Sequence, residues 1–181
     1  AADLEHWAAF RDSFERLARL FLDVAAGRRA GTSGRAPATI CVLSGDVHHA
    51  YAARVRFATP TAGTVYQLTC SPLHNHVPAA VRVAFRAAWG RKAERVVRLL
   101  LGPVTAVPEA SFSWSKMAGP SFGNQIATLR TRGRVAHLTI ERSVDTASGP
   151  HLFETVTDLP LTTEERPPEI PTSRAASRPS R

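Results

Sequence analysis

Asp46, His48 and His49 are the residues of this chain best suited to chemistry, because they follow directly on an apolar run that Gly45 brings to a stop. In residues 38–53, ATICVLSGDVHHAYAA, a strand pattern ends in a glycine turn and then presents a carboxylate and two imidazoles. α/β enzymes place metal ligands and acid-base groups at a sheet edge in this way. An aspartate in a turn also bonds its own backbone with no further role, so a plain structural reading stands beside the chemical one. The spacing favours chemistry: Asp46 and His48 lie two positions apart, and in extended backbone they reach the same side, where they can converge on one ion. A carboxylate oxygen with a neutral imidazole nitrogen suits iron, zinc or manganese. By the same alternation His49 faces away from that ion. A group behind the ligands, a substrate-facing group and a mere polar neighbour all remain open for it.

A second polar cluster lies at residues 70–78, CSPLHNHVP, where Pro72 and Pro78 bracket His74, Asn75 and His76 in an irregular loop. This loop lacks a glycine turn and carries Leu73 and Val77, so contact with substrate is expected of His74 and His76 before contact with metal.

The elements that must position these residues follow from periodicity. Trp7, Phe10, Phe14, Leu17, Phe21 and Val24 recur at three- and four-residue steps, which predicts an amphipathic helix over residues 3–26, ended by Gly27. Residues 28–37 form a Gly, Arg, Ser and Pro loop leading into a strand over 39–44. Two further strands are expected at 51–57 and 64–69, with Pro60 and Gly63 marking the turn between them. From Pro78 the pattern turns helical, with Val81, Phe85 and Trp89 on one face, then Ala93, Val96, Val97, Leu100 and Leu101 after Gly90. SFSWSK at 111–116 alternates like a strand, and 119–123 reads as a turn. Residues 124–131 and 134–141 flank Arg132 and Gly133 as a hairpin, and 152–157 supplies one more strand. Helix, loop, strand and loop-borne polar groups make an α/β fold.

With 181 residues and 44% hydrophobic content the chain can bury one core. The simplest division is a folded portion over 1–160 and a Pro, Thr, Ser, Arg and Glu tail over 161–181, expected to be disordered. No apolar run approaches the length of a membrane span. The net charge of +8 favours anionic partners, yet the excess is arginine spread over helix surfaces, a loop and the tail. Arg82, Arg86, Arg91, Lys92, Arg95 and Arg98 give a basic helix face that reads first as a solvated surface or a substrate entrance, so nucleic acid is not singled out. The two cysteines, Cys41 and Cys70, sit on strands as small core residues. The sequence opens at Ala1 in what reads as the middle of a folded protein, so a fragment or a processed chain is expected, with export and cytoplasmic residence both open.

LSGDVH after a strand, YQLTCSP at 66–72 and SFGNQIATL at 121–129 together resemble the C-terminal part of the PhoD-like alkaline phosphatases, within the calcineurin-like metallophosphoesterase superfamily. The resemblance spans residues 3 to about 160. It implies the second half of a four-layer α/β/β/α sandwich with the site on loops at the sheet edges. It also implies hydrolysis of phosphate mono- or diesters, with iron and calcium as metals. Asp46 and His48 fall on the ligand positions of the family's last metal motif, and His49 or His76 would face the leaving group. The remaining ligands of the family come from motifs that this sequence does not contain, so the isolated chain is expected to be inactive. Two rivals stand beside this reading. One is a noncatalytic basic α/β domain that holds an anionic partner. The other is a metal-free hydrolase with His48 as general base, which lacks a Gly-x-Ser-x-Gly elbow.

Overall fold

The structure, a computed structural model, describes residues 10–29, 31, 34–45, 47–71, 77–88, 111–144 and 152–162. Helix α1 (Arg11–Ala25) is followed by strands β1 (Thr39–Ser44), β2 (Ala50–Phe57) and β3 (Thr64–Thr69), then helix α2 (Ala79–Ala88). Strands β4 (Phe112–Ser121), β5 (Gln125–Arg132), β6 (Val135–Val144) and β7 (Leu152–Pro160) complete the described elements. The fold is mixed α/β with two sheets. Sheet A runs β1-β3-β2-β4 and sheet B runs β5-β6-β7. Within sheet A, β1 and β3 are parallel while β2 lies antiparallel to β3 and β4. Sheet B is antiparallel throughout.

α1 covers one face of sheet A. Phe14, Leu17, Ala18 and Phe21 look onto Val42, Val55, Val65, Phe57, Phe112 and Trp114 across a largely apolar hollow of about 240 Å³. The other face of sheet A packs on sheet B. Ala50, Ala52, Tyr66 and Leu68 meet Ala136, Leu138, Ile140 and Leu161, with Cys41 and Cys70 packed at the margin as half-buried free thiols. The alternation of apolar residues along β6 is what turns Ala136, Leu138 and Ile140 inward. Burying a side chain such as Leu138 or Ile140 completely contributes about 1.5–3 kcal/mol.

Two expectations are corrected here. The stretch 119–123 is not a turn from its start: β4 continues through Gly119 and Pro120 to Ser121, paired with β2. Pairing overrides the local signal because Gly119, at φ +85°, lets the strand continue where β2 and β4 lose regular register around Ala52. The hairpin turn falls on Gly133 and Arg134 rather than on Arg132 and Gly133, since Arg132 already pairs with Val135 and Gly133 takes the positive φ. The described part of the first helix begins at Arg11 with Phe10 as its cap, and residues 1–9, Trp7 among them, lie outside the described residues. So do Trp89 and the second apolar stripe of residues 93–101.

The last described residues belong to the folded body. Leu161 is buried, its N–H donates to Ala136 O, and its carbonyl accepts from the Tyr66 hydroxyl at 2.8 Å. Thr162 Oγ1 accepts from Ala136 N–H and donates to Arg134 O. The rest of the expected tail lies outside the described residues. Burial pushes the Tyr66 pKa above its ordinary value, so the hydroxyl stays protonated as a donor well beyond neutrality. Replacing Tyr66 by Phe therefore leaves a buried carbonyl without its donor and is expected to destabilise the fold by about 1–3 kcal/mol. A urea titration checks this, and an unchanged midpoint would show that the bond contributes nothing.

Candidate metal and substrate site

The register of sheet A brings four chain ends to one edge. Ser44, the last residue of β1, pairs with Thr69, the last of β3. Tyr51, near the start of β2, pairs with the same Thr69, and Ala50 pairs with Ser121 at the end of β4. The loop 45–49, the exit from β3 at Cys70 and Ser71, and the turn 122–124 therefore share this edge, at the carboxyl ends of the two parallel strands. Loops at such ends are where α/β proteins assemble sites.

The two strand exits are in contact. Cys70 N–H donates to Ser44 O at 3.2 Å, and Gly45 packs on the Cys70 carbonyl closely enough that an added Cβ would lie 3.7 Å from that oxygen. Ser44 Oγ and Thr69 Oγ1 are hydrogen-bonded at 2.8 Å, and Gln67 Nε2 donates to Ser44 Oγ at 2.7 Å.

His48 is exposed, whereas His49 is 7% exposed. The His49 ring stacks on Tyr51, with centroids 5.5 Å apart, and meets Phe122 at 6.1 Å. Burial, and secondarily the neighbouring His48, push the His49 pKa below its ordinary value, so this imidazole is neutral at pH 7. The Arg86 guanidinium stands over the Phe122 ring, 5.7 Å from its centroid, which brings a cation from α2 to the edge. Ser121 Oγ donates to Gln125 Oε1 at 2.6 Å, and Gln125 Nε2 donates to Gly123 O, so the buried Gln125 braces the turn that carries Phe122.

Of the residues singled out from the sequence, His48 and His49 thus sit at this edge on opposite sides of the backbone. Asp46, His74 and His76 lie outside the described residues, although Gly45 and Val47 flank Asp46 and Ser71 leads toward the histidine loop. Among the described residues no three His, Cys, Asp or Glu side chains are grouped to hold a metal ion. His48 and, by its place in the sequence, Asp46 are donors of the right kind for a borderline cation; they would fill two positions of such a centre, and further donors would be required from elsewhere. Asp12 and Asp23 do not supply them: both lie on α1, and Asp23 is ion-paired with Arg28 at 2.8 Å.

Sequence reasoning missed Ser44, Gln67, Thr69, Phe122 and Gln125. Only their places at strand ends and in a Ser-Phe-Gly-Asn-Gln turn pointed toward them, and a hydroxyl at a strand end has many ordinary uses. No family model, no curated protein and no solved structure matches the chain.

Proposed function

We propose that this chain carries the last ligand loop of a metal-dependent phosphatase or phosphodiesterase of the PhoD-like type. Its α1, sheet A and sheet B would be consecutive layers of the second half of a four-layer α/β/β/α sandwich. The observation that carries the reading is the shared edge: a glycine turn, an exposed imidazole and a second strand exit lie together at the carboxyl ends of parallel β1 and β3.

In this reading Asp46 and His48 hold an ion through a carboxylate oxygen and a neutral imidazole nitrogen. Bound there, an ion would supply Lewis acidity toward a phosphoryl group and would lower the pKa of water. His49 works from beneath the loop. Packed neutral between Tyr51 and Phe122, it fixes the backbone from which His48 projects and adds no positive charge to repel the cation. Arg86, held over Phe122, is the described cation best placed to attract a phosphate ester to the edge. His76 keeps the expected role toward the leaving group.

The test is metal dependence. In a protein that joins this chain to the remaining ligand motifs, turnover of p-nitrophenyl phosphate and of its bis-ester is expected to fall at least tenfold on treatment with a chelator and to return with added manganese, iron or calcium. Turnover indifferent to chelation overturns the reading. Salt-sensitive binding to an anionic partner with no response to divalent ions would instead favour a noncatalytic basic domain.

A further inference from the structure

We propose that Gln67, Ser44 and Thr69 form a positioning trio that fixes the spacing between the loop after β1 and the loop after β3. The proposal rests on the phosphoesterase reading only for its consequence at the ion, since the clamp itself is a matter of geometry.

The trio stands where the two parallel strands end. Ser44 immediately precedes Gly45, and Thr69 immediately precedes Cys70. Their hydroxyls are 2.8 Å apart, and the Gln67 amide donates to both, at 2.7 Å to Ser44 Oγ and 3.3 Å to Thr69 Oγ1. The oxygen of one strand end is thereby tied to that of the other through a shared donor, beside the backbone bond from Cys70 N–H to Ser44 O. One amide bridging two hydroxyls adds a side-chain restraint at the point where the parallel ladder ends with Ser44 paired to Thr69.

Its location argues against a general structural use. On this face of sheet A the neighbouring residues of β1 and β3 are Val42 and Val65, which line the apolar hollow beneath α1 together with Val55 and Phe57. Thr69 is almost wholly buried and loses hydration that an apolar residue would not, while Gln67 is half-buried and Ser44 is exposed at the strand end. The polar groups are confined to the end from which the site loops depart. A ligand loop is sensitive at that point, because a displacement of about 1 Å in a catalytic constellation costs about a hundredfold in rate.

Four forms of the full chain test this: the parent, Gln67→Leu, Thr69→Val and the hydroxyl-retaining Thr69→Ser. Without metal, amide hydrogen exchange is followed at Cys70 and in the middle of β3. Manganese binding by calorimetry is measured on the same samples. Gln67→Leu and Thr69→Val are expected to speed exchange at Cys70 about tenfold, with the middle of β3 unchanged. They should also weaken manganese binding. Thr69→Ser should stay close to the parent in every readout. If Gln67→Leu does not fold, Thr69→Val against Thr69→Ser makes the same comparison through a smaller change. Unchanged exchange at Cys70 in the variants lacking the bonds overturns the clamp, as does equal loss in Thr69→Ser. A parent that binds no manganese but shows the same exchange pattern supports the clamp and overturns the phosphoesterase reading.

Discussion

Replacing Asp46 by Asn, in a protein that joins this chain to the remaining ligand motifs, is expected to lower phosphate-ester turnover about a hundredfold or more, and to weaken manganese binding at least tenfold. Groups that merely orient metal ligands are worth about 10–100-fold, so loss of the charge on a ligand itself belongs at or beyond that range. Asparagine keeps the size of the side chain and serves turns as well as aspartate does. The fold should therefore survive, and the loss should appear in kcat and in the metal titration rather than in the unfolding midpoint. Raising the manganese concentration should recover part of the rate. Full turnover at full metal load would remove Asp46 from the ligand set.

Gly119→Ala is expected to be the most damaging single change to the fold near the site. At φ +85° an alanine pays for a left-handed backbone, and its Cβ would lie 2.8 Å from both Cα and Cβ of Tyr51. Both contacts are with the start of β2, two residues beyond His49, so relief requires β4 to withdraw from β2 at the site edge. Adding about 1–2 kcal/mol for the backbone to about 1–3 kcal/mol for overpacking gives roughly 2–5 kcal/mol, a large share of the few kcal/mol that hold a small domain together. Gly133→Ala is the internal comparison: its φ is +57° but nothing lies within 4 Å of the added carbon, so only the backbone part should be lost. Denaturant titrations of the two variants check this, and equal losses would mean that β4 does not approach β2 closely.

Much of the local structure was legible because it is written in period and punctuation. The alternation of β6, the glycine hairpin before it and the three- and four-residue steps of α1 each depend on neighbours in sequence. Position parity likewise separates exposed His48 from buried His49. What escaped depends on distant partners. Gly119 and Pro120 look like a turn until β2 pairs across them, and the order β1-β3-β2-β4 requires β4 to join a strand more than fifty residues earlier. Ser44, Gln67 and Thr69 carry no spacing signal, because their meeting is set by the parallel register of β1 on β3. The apolar rings around His49 were equally hidden, since Phe122 arrives from the far end of β4.

The bond from Tyr66 to Leu161 joins residues 95 apart and closes sheet B over sheet A. A ribosome releases the chain from its N-terminus at about 5–20 residues per second. Strands β1, β3 and β2 can therefore pair with one another while Ala50, Ala52, Tyr66 and Leu68 wait about 5–20 s for the strands that cover them. Through that interval the nascent protein presents an apolar sheet face to the cell, and slower elongation between residues 66 and 161 lengthens the exposure.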